Sequence, residues 1–176
     1  MKTRTFPIRD LTCAAMCLAL CMVLPFLTGQ IPQIGSALCP MHLPVLLSGF
    51  LCGPWWALAV GATAPLLRHF WLHMPPLVTA IGMTAELATY GLVSGLLYRR
   101  LPKKRSSIYT ALLASMVAGR LVWGCAMVVI LGVTGSVFTW SAFLSGALLN
   151  AIPGILLQVI LIPLLVMALR RAGILK

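Results

Sequence analysis

The sequence predicts an all-α integral membrane protein, a single domain over residues 1–176 with six transmembrane helices and both termini cytoplasmic. Three observations carry that expectation. Of the 176 residues 61% are hydrophobic and 9% charged, and the mean hydropathy of +1.04 leaves too little polar surface for a soluble globule. The apolar residues fall in runs on the scale of the ~20 residues that a helix needs to cross a bilayer core. The basic residues collect where those runs end: Lys2, Arg4 and Arg9 precede the first, Arg99, Arg100, Lys103, Lys104 and Arg105 fill one loop, and Arg170, Arg171 and Lys176 close the chain. These are 11 of the 13 Lys and Arg, so the net charge of +11 reads as a positive-inside pattern and argues against nucleic acid as a partner.

The first span runs from about Asp10 to Leu27, with Asp10 placed to favour a helix N-terminus. Basic residues ahead of an apolar run also open a signal peptide, but no small-x-small cleavage site precedes Thr28-Gly29, and the segment is read as a permanent span. Thr28 to Pro40 contains Gly29, Pro32, Gly35 and Pro40, which predicts a structured, non-helical excursion. Met41 to Cys52 would be only about 18 Å long as a helix, leaving a crossing and a re-entrant segment both open. Charge parity favours the crossing: if the basic segments 2–9 and 99–105 both face the cytoplasm, an even number of spans separates them. Gly53-Pro54 is then a tight inner turn. Span 3 follows from about Pro54 to Trp71, span 4 from Pro76 to Tyr98, span 5 from Ile108 to about Leu131 and span 6 from about Trp140 to Leu169. Trp55, Trp56, Tyr98 and Tyr109 fall at inner ends and Trp71, Phe138 and Trp140 at outer ends, as interfacial aromatics do; Trp123 lies outside both belts. No internal repeat is visible.

Chemistry concentrates in the hairpin from Pro65 to Gly91, which carries Arg68, His69, His73, the Pro75-Pro76 break and Glu86, one of two acidic residues in the chain. Ionisable groups inside apolar spans normally face a protein interior or a wet cavity, so the hairpin is expected to form one wall of a small-molecule site. Glu86 lies about 15 Å below the outer end of span 4 and Arg120 about twelve residues into span 5, which predicts a buried pair. Whether that pair is only structural or also meets a ligand stays open. Arg68, about 21 Å above the inner end of span 3, either snorkels outward or adds an unmatched positive charge suited to an anionic ligand group. Tyr90 and Trp123 share helix faces with Glu86 and Arg120, and Trp123 could stack on a flat heterocycle or simply pack. Asn150 adds an amide at similar depth, and His42 stands where it could lean over a cavity mouth or make an interfacial hydrogen bond.

Several chemistries find no residues to carry them. His69 and His73 are four apart but lack a third ligand, so no metal is expected. Cys13, Cys17 and Cys21 line one face of an apolar helix, Cys52 and Cys125 lie in other apolar runs, and no CxxC occurs; membrane-buried cysteine acts as a small hydrophobe. Neither a Ser–His partnership nor HExxH is legible, a paired-carboxylate mechanism has no second buried acid, and no GxxxxGK[ST] loop is present. The chain is read as a non-enzyme without a cofactor.

Small residues four apart, Ala15 with Ala19 and Ala57 with Gly61, allow close helix approach, within the bundle or to a partner. With this pattern the chain resembles the substrate-binding S components of energy-coupling factor (ECF) vitamin transporters. The resemblance covers nearly the whole chain: the basic N-terminus, AxxxA at Ala15 and Ala19, the long loop after helix 1, PMHLPVLLSGFLCGP from Pro40 to Pro54, APLLRHFWLHMPP from Ala64 to Pro76, and ELATYGLVSGLLY from Glu86 to Tyr98. It implies that helices 1 to 3 face a transmembrane coupling protein, with Ala15 and Ala19 as docking residues, and that two ABC ATPases supply energy. It also implies outer loops roofing a ligand pocket lined by helices 4 to 6, with Glu86, Tyr90, Arg120, Trp123 and Asn150 as pocket candidates beside Arg68 and His42, in a prokaryotic plasma membrane. Met41-His42 does not match the metal-transporting relatives, which use a histidine beside the free N-terminus. A self-sufficient permease coupled through Glu86, and an integral-membrane lipid enzyme, are the other classes considered.

Overall fold

A computed structural model describes residues 8–27, 38–102, 104–133 and 152–175. Among these residues the fold is all-helical: α1 (Ile8–Leu27), α2 (His42–Leu51), α3 (Pro54–Leu72), α4 (Leu77–Arg100), α5 (Arg105–Val133) and α6 (Ile152–Arg171). Four of these, α1, α4, α5 and α6, are long and apolar enough to cross a membrane. α3 has 19 residues, but tryptophans, prolines, Arg68 and His69 dilute its apolar run. α2 has ten, about 15 Å of rise. The expected sixth span is described only from Ile152; its stretch from Trp140 to Ala151 lies outside the described residues, as does the loop from Thr28 to Ser36.

The breaks between helices follow local chemistry. Cys39 takes a positive φ of 46° ahead of α2, whose first residue His42 donates its backbone N–H to the Cys39 carbonyl at 3.0 Å. Between α2 and α3, Gly53 adopts φ 89°, a conformation that L side chains avoid, and Pro54 opens α3 where its missing N–H costs nothing. The Arg99 guanidinium lies across Gly53 where a Cβ would stand, and donates to the Cys52 carbonyl at 3.4 Å. α3 ends at His73 in the left-handed region, and His69 Nδ1 lies 2.8 Å from the Pro75 carbonyl, so this histidine braces the turn into α4.

These turns fix the direction of each helix. Arg9 at the start of α1 donates to the Ile174 carbonyl beyond α6, the α2–α3 turn meets Arg99 at the end of α4, and Arg170 in the last turn of α6 lies 5.5 Å over the Tyr98 ring. The described basic residues of all three clusters therefore gather at one end, and the helices alternate away from it and back. At the centre α4 packs on α2, α3 and α5. Its contact with α3 is backbone to backbone: a Cβ on Gly61 would stand 2.3 Å from the Leu87 carbonyl oxygen, and one on Gly91 2.4 Å from that of Ala57. Ala57 and Gly61 thus spend their small size inside the bundle. Leu46, Leu87, Tyr90, Ile108, Leu112 and Ile162 fill the core around this seam.

Candidate functional site

The inward face of α4 presents a residue every fourth position: Glu86, Tyr90, Ser94 and Tyr98, all buried. Four-residue spacing keeps side chains in register on one helical stripe, so a carboxylate, a phenol and a hydroxyl point into the apolar core one above another. Ser94 bonds the Gly91 carbonyl of its own helix, at 3.2 Å. Glu86 must find its partners elsewhere, because a carboxylate 1% exposed and unpaired would be prohibitive.

Three neighbours converge on one of its oxygens. Tyr90 Oη donates to Glu86 Oε1 at 2.9 Å, Arg120 Nη1 on α5 stands 3.0 Å away, and His42 Nε2 at the start of α2 stands 3.5 Å away. The last distance is too long for a well-formed hydrogen bond. The His42 ring meets Tyr90 edge-on, with centroids 5.4 Å apart. Tyr90 can sit there because α5 offers a glycine: a Cβ on Gly119 would lie 2.0 Å from the ring's Cε1. Cys39, in the loop ahead of α2, faces the same guanidinium; burial pushes its thiol up, against the opposing pull of Arg120. Trp123 lies one turn along α5, with its Nε1 3.4 Å from where a Cβ of Gly82 would stand.

The expected site residues thus divide. Glu86, Tyr90 and Arg120 share one cluster, His42 belongs inside it rather than at a mouth, and Trp123 flanks it against α4. Asn150 lies outside the described residues. Arg68 is 4% exposed and turned to α1: its Nη1 donates to the Met22 carbonyl at 3.2 Å and its guanidinium lies 5.5 Å from the Phe26 ring. It is thus buried between α3 and α1 rather than beside Glu86. Within the cluster Glu86 and Arg120 balance one another.

Gln158 on α6 was missed by sequence reasoning. It is 2% exposed and its Oε1 has no hydrogen-bond partner among the described residues; the same holds for both ring nitrogens of His42 and for Arg120 Nε. A buried polar group without a partner costs about 1–3 kcal/mol, so several in one bundle call for an explanation. A mid-span Gln was the available signal, outweighed by the more charged positions. The cluster offers buried donors and acceptors; Ser48 and Ser115 bond carbonyls of their own helices at 2.6 and 2.7 Å.

At the other face, Ala15 and Ala19 are both exposed on α1, while Ala14, Cys17 and Cys21 turn to the core. Leu11, Met16 and Leu20 surround the two alanines and are 43–63% exposed. The small pair therefore makes a flat strip on an apolar outer surface.

Comparison with known proteins gives one positive result: the family model described as "ECF transporter, substrate-specific component" matches residues 9–166. No curated protein and no solved structure matches the chain. With a match that covers most of the chain and reaches into all six described helices, the chain belongs to the family of substrate-specific components of ECF transporters.

Proposed function

We propose that this protein captures a water-soluble vitamin or related small metabolite at the outer face of the prokaryotic plasma membrane and delivers it inward through an ATP-driven coupling module. The basic end of the bundle is the cytoplasmic end, which gives six crossings with both termini inside. The Glu86 cluster then lies toward the opposite end, roofed by the loops that join helices 1–2, 3–4 and 5–6. Energy comes from two ABC ATPases through a transmembrane coupling protein, which docks on α1 at Ala15 and Ala19, where small side chains let a foreign helix approach closely.

One observation carries the reading of the site: in a family whose members select a substrate, α2, α5 and α6 hold buried polar atoms, on His42, Arg120 and Gln158, that lack hydrogen-bond partners among the described residues. Glu86, Tyr90, Arg120, His42 and Trp123 form the binding surface, and Asn150 completes it from the sixth span. The test is to purify the protein in detergent, release any bound small molecule and identify it by mass spectrometry, then measure uptake of that compound in cells. Uptake should vanish when the ATPase subunits carry inactive nucleotide sites. Uptake that survives their loss would instead favour a self-sufficient, ion-coupled permease.

A further inference from the structure

We infer that the molecule bound at the Glu86 cluster carries no net negative charge and is held by a donor–acceptor edge that spans Arg120 and Gln158. The inference rests on the ligand-binding reading above and names the ligand's chemistry. Its first support is position. Arg170 lies over the Tyr98 ring, so the last turns of α6 and α4 are level. Glu86 precedes Tyr98 by twelve residues and Gln158 precedes Arg170 by twelve, so both stand about 18 Å above that level on helices running the same way. Gln158 shares the buried stripe of α6 with Ile162 and Val166, and α6 packs on α5 and α2, the helices that supply Arg120 and His42. The amide thus faces the same interior layer as the carboxylate.

The second support is what the layer leaves unsatisfied. Gln158 Oε1 accepts, Arg120 Nε–H donates, and His42 Nδ1 lies on the ring edge turned from Glu86, all buried and without hydrogen-bond partners among the described residues. A molecule with a ring or amide edge bearing both N–H and C=O would satisfy donor and acceptor together. A carboxylate has only acceptors to offer, and at this edge would leave Gln158 Oε1 facing another oxygen.

The third support is charge. The Arg120 guanidinium already stands 3.0 Å from Glu86, and Arg68 is committed to α1. An added anion would set two negative charges against one guanidinium, with only a protonated His42 left to offset the second. An uncharged ligand needs no such compensation in a medium of low dielectric.

The probe is an ultrafiltrate of yeast extract, separated at pH 8 on a strong anion exchanger into unretained and retained fractions, with thermal unfolding of the detergent-purified protein as the readout. Stabilisation is expected from the unretained fraction, by about 5–10 °C once its active compound is near a hundredfold over its Kd. Gln158→Leu should lose most of that shift while melting, without added fraction, no lower than the parent, because it removes an acceptor that was unsatisfied. Stabilisation by the retained fraction overturns the inference but leaves the binding function standing. So does an undiminished shift in folded Gln158→Leu. If that variant does not fold, the charge of the active fraction on the parent protein decides alone. Stabilisation by neither fraction removes the ligand-binding reading, and the inference with it.

Discussion

Glu86 and Arg120 allow a charge-removal cycle whose outcome the geometry fixes in advance. Glu86→Gln strips the charge from a carboxylate that is 1% exposed and leaves Arg120 facing a neutral amide; Arg120→Gln leaves the carboxylate with only Tyr90 and His42. Breaking a buried pair from one side costs about 3–5 kcal/mol, most of it the penalty of the stranded charge. The double variant keeps shape and hydrogen bonding but has no charge to strand. It should lose only about 0.6–1.7 kcal/mol, the scale of hydrogen bonds between membrane helices. The cycle therefore predicts that the two single losses exceed the double loss by several kcal/mol, read by reversible SDS unfolding in mixed micelles. A coupling energy below about 1 kcal/mol would refute the picture of a desolvated pair and imply that water reaches both groups. The same double variant measures the site. With the ligand released from the purified protein as the probe, an uncharged ligand should bind about 0.5–1.5 kcal/mol more weakly, and an anion held by Arg120 about 1.5–3 kcal/mol more weakly. Unchanged affinity in a folded double variant would remove Arg120 from the ligand's contacts.

Other regions make independent predictions. Ala15→Leu with Ala19→Leu should abolish uptake yet leave affinity and melting of the isolated protein unchanged, since both alanines are exposed; weaker binding by the isolated variant would point to packing within the bundle. On a cysteine-free background, Ser106→Cys, exposed in the first turn of α5, should react with impermeant maleimide only in inverted vesicles, and Ser36→Cys and Ser136→Cys only in intact cells. A Ser106→Cys that labels from outside would reverse the orientation. Gly119→Ala should displace the Tyr90 ring, destabilising the protein by about 1–3 kcal/mol. In a Tyr90→Leu background, which has already lost the ring and its bond to Glu86, Gly119→Ala should add little further cost; an undiminished cost there would show that the glycine serves the helix backbone rather than the ring.

The parts of this architecture legible in the sequence are those governed by hydrophobicity and charge. Run lengths located α1 to α5 to within a few residues, and the described part of α6 ends two residues beyond the expected Leu169. The Glu86–Arg120 pair was also visible, because two deep charges of opposite sign have few other ways to exist in hydrocarbon. What could not be read was direction around a helix axis. Arg68 is as deep and as basic as a ligand-binding arginine would be, but helix rotation turns it to the Met22 carbonyl, near where Pro25 interrupts the hydrogen-bond ladder of α1. His42 has no charged neighbour in sequence, and its place beside Glu86 arises only when α2 docks on α4. Gln158 sits in an apolar run with no periodic polar partner, and becomes notable only as one of several unsatisfied groups in a layer.

The backbone seam between α3 and α4 constrains how a protein of this kind can acquire new ligands. Along that line, and where Gly49 of α2 meets Ser94, a single added methyl collides with main-chain atoms or with a fully buried hydroxyl that cannot retreat. Variation there is penalised whatever the ligand. Where α4 faces α5, at Gly82 and Gly119, an added methyl would first meet the side chains of Met127 and Tyr90, which can change together with it. The bundle thus pairs a rigid seam, α2 to α4, where main chain meets main chain, with an α4–α5 face where side chains meet and can vary in concert. On the function proposed above, change in the ligand would be written on the second face while the first holds the helices together.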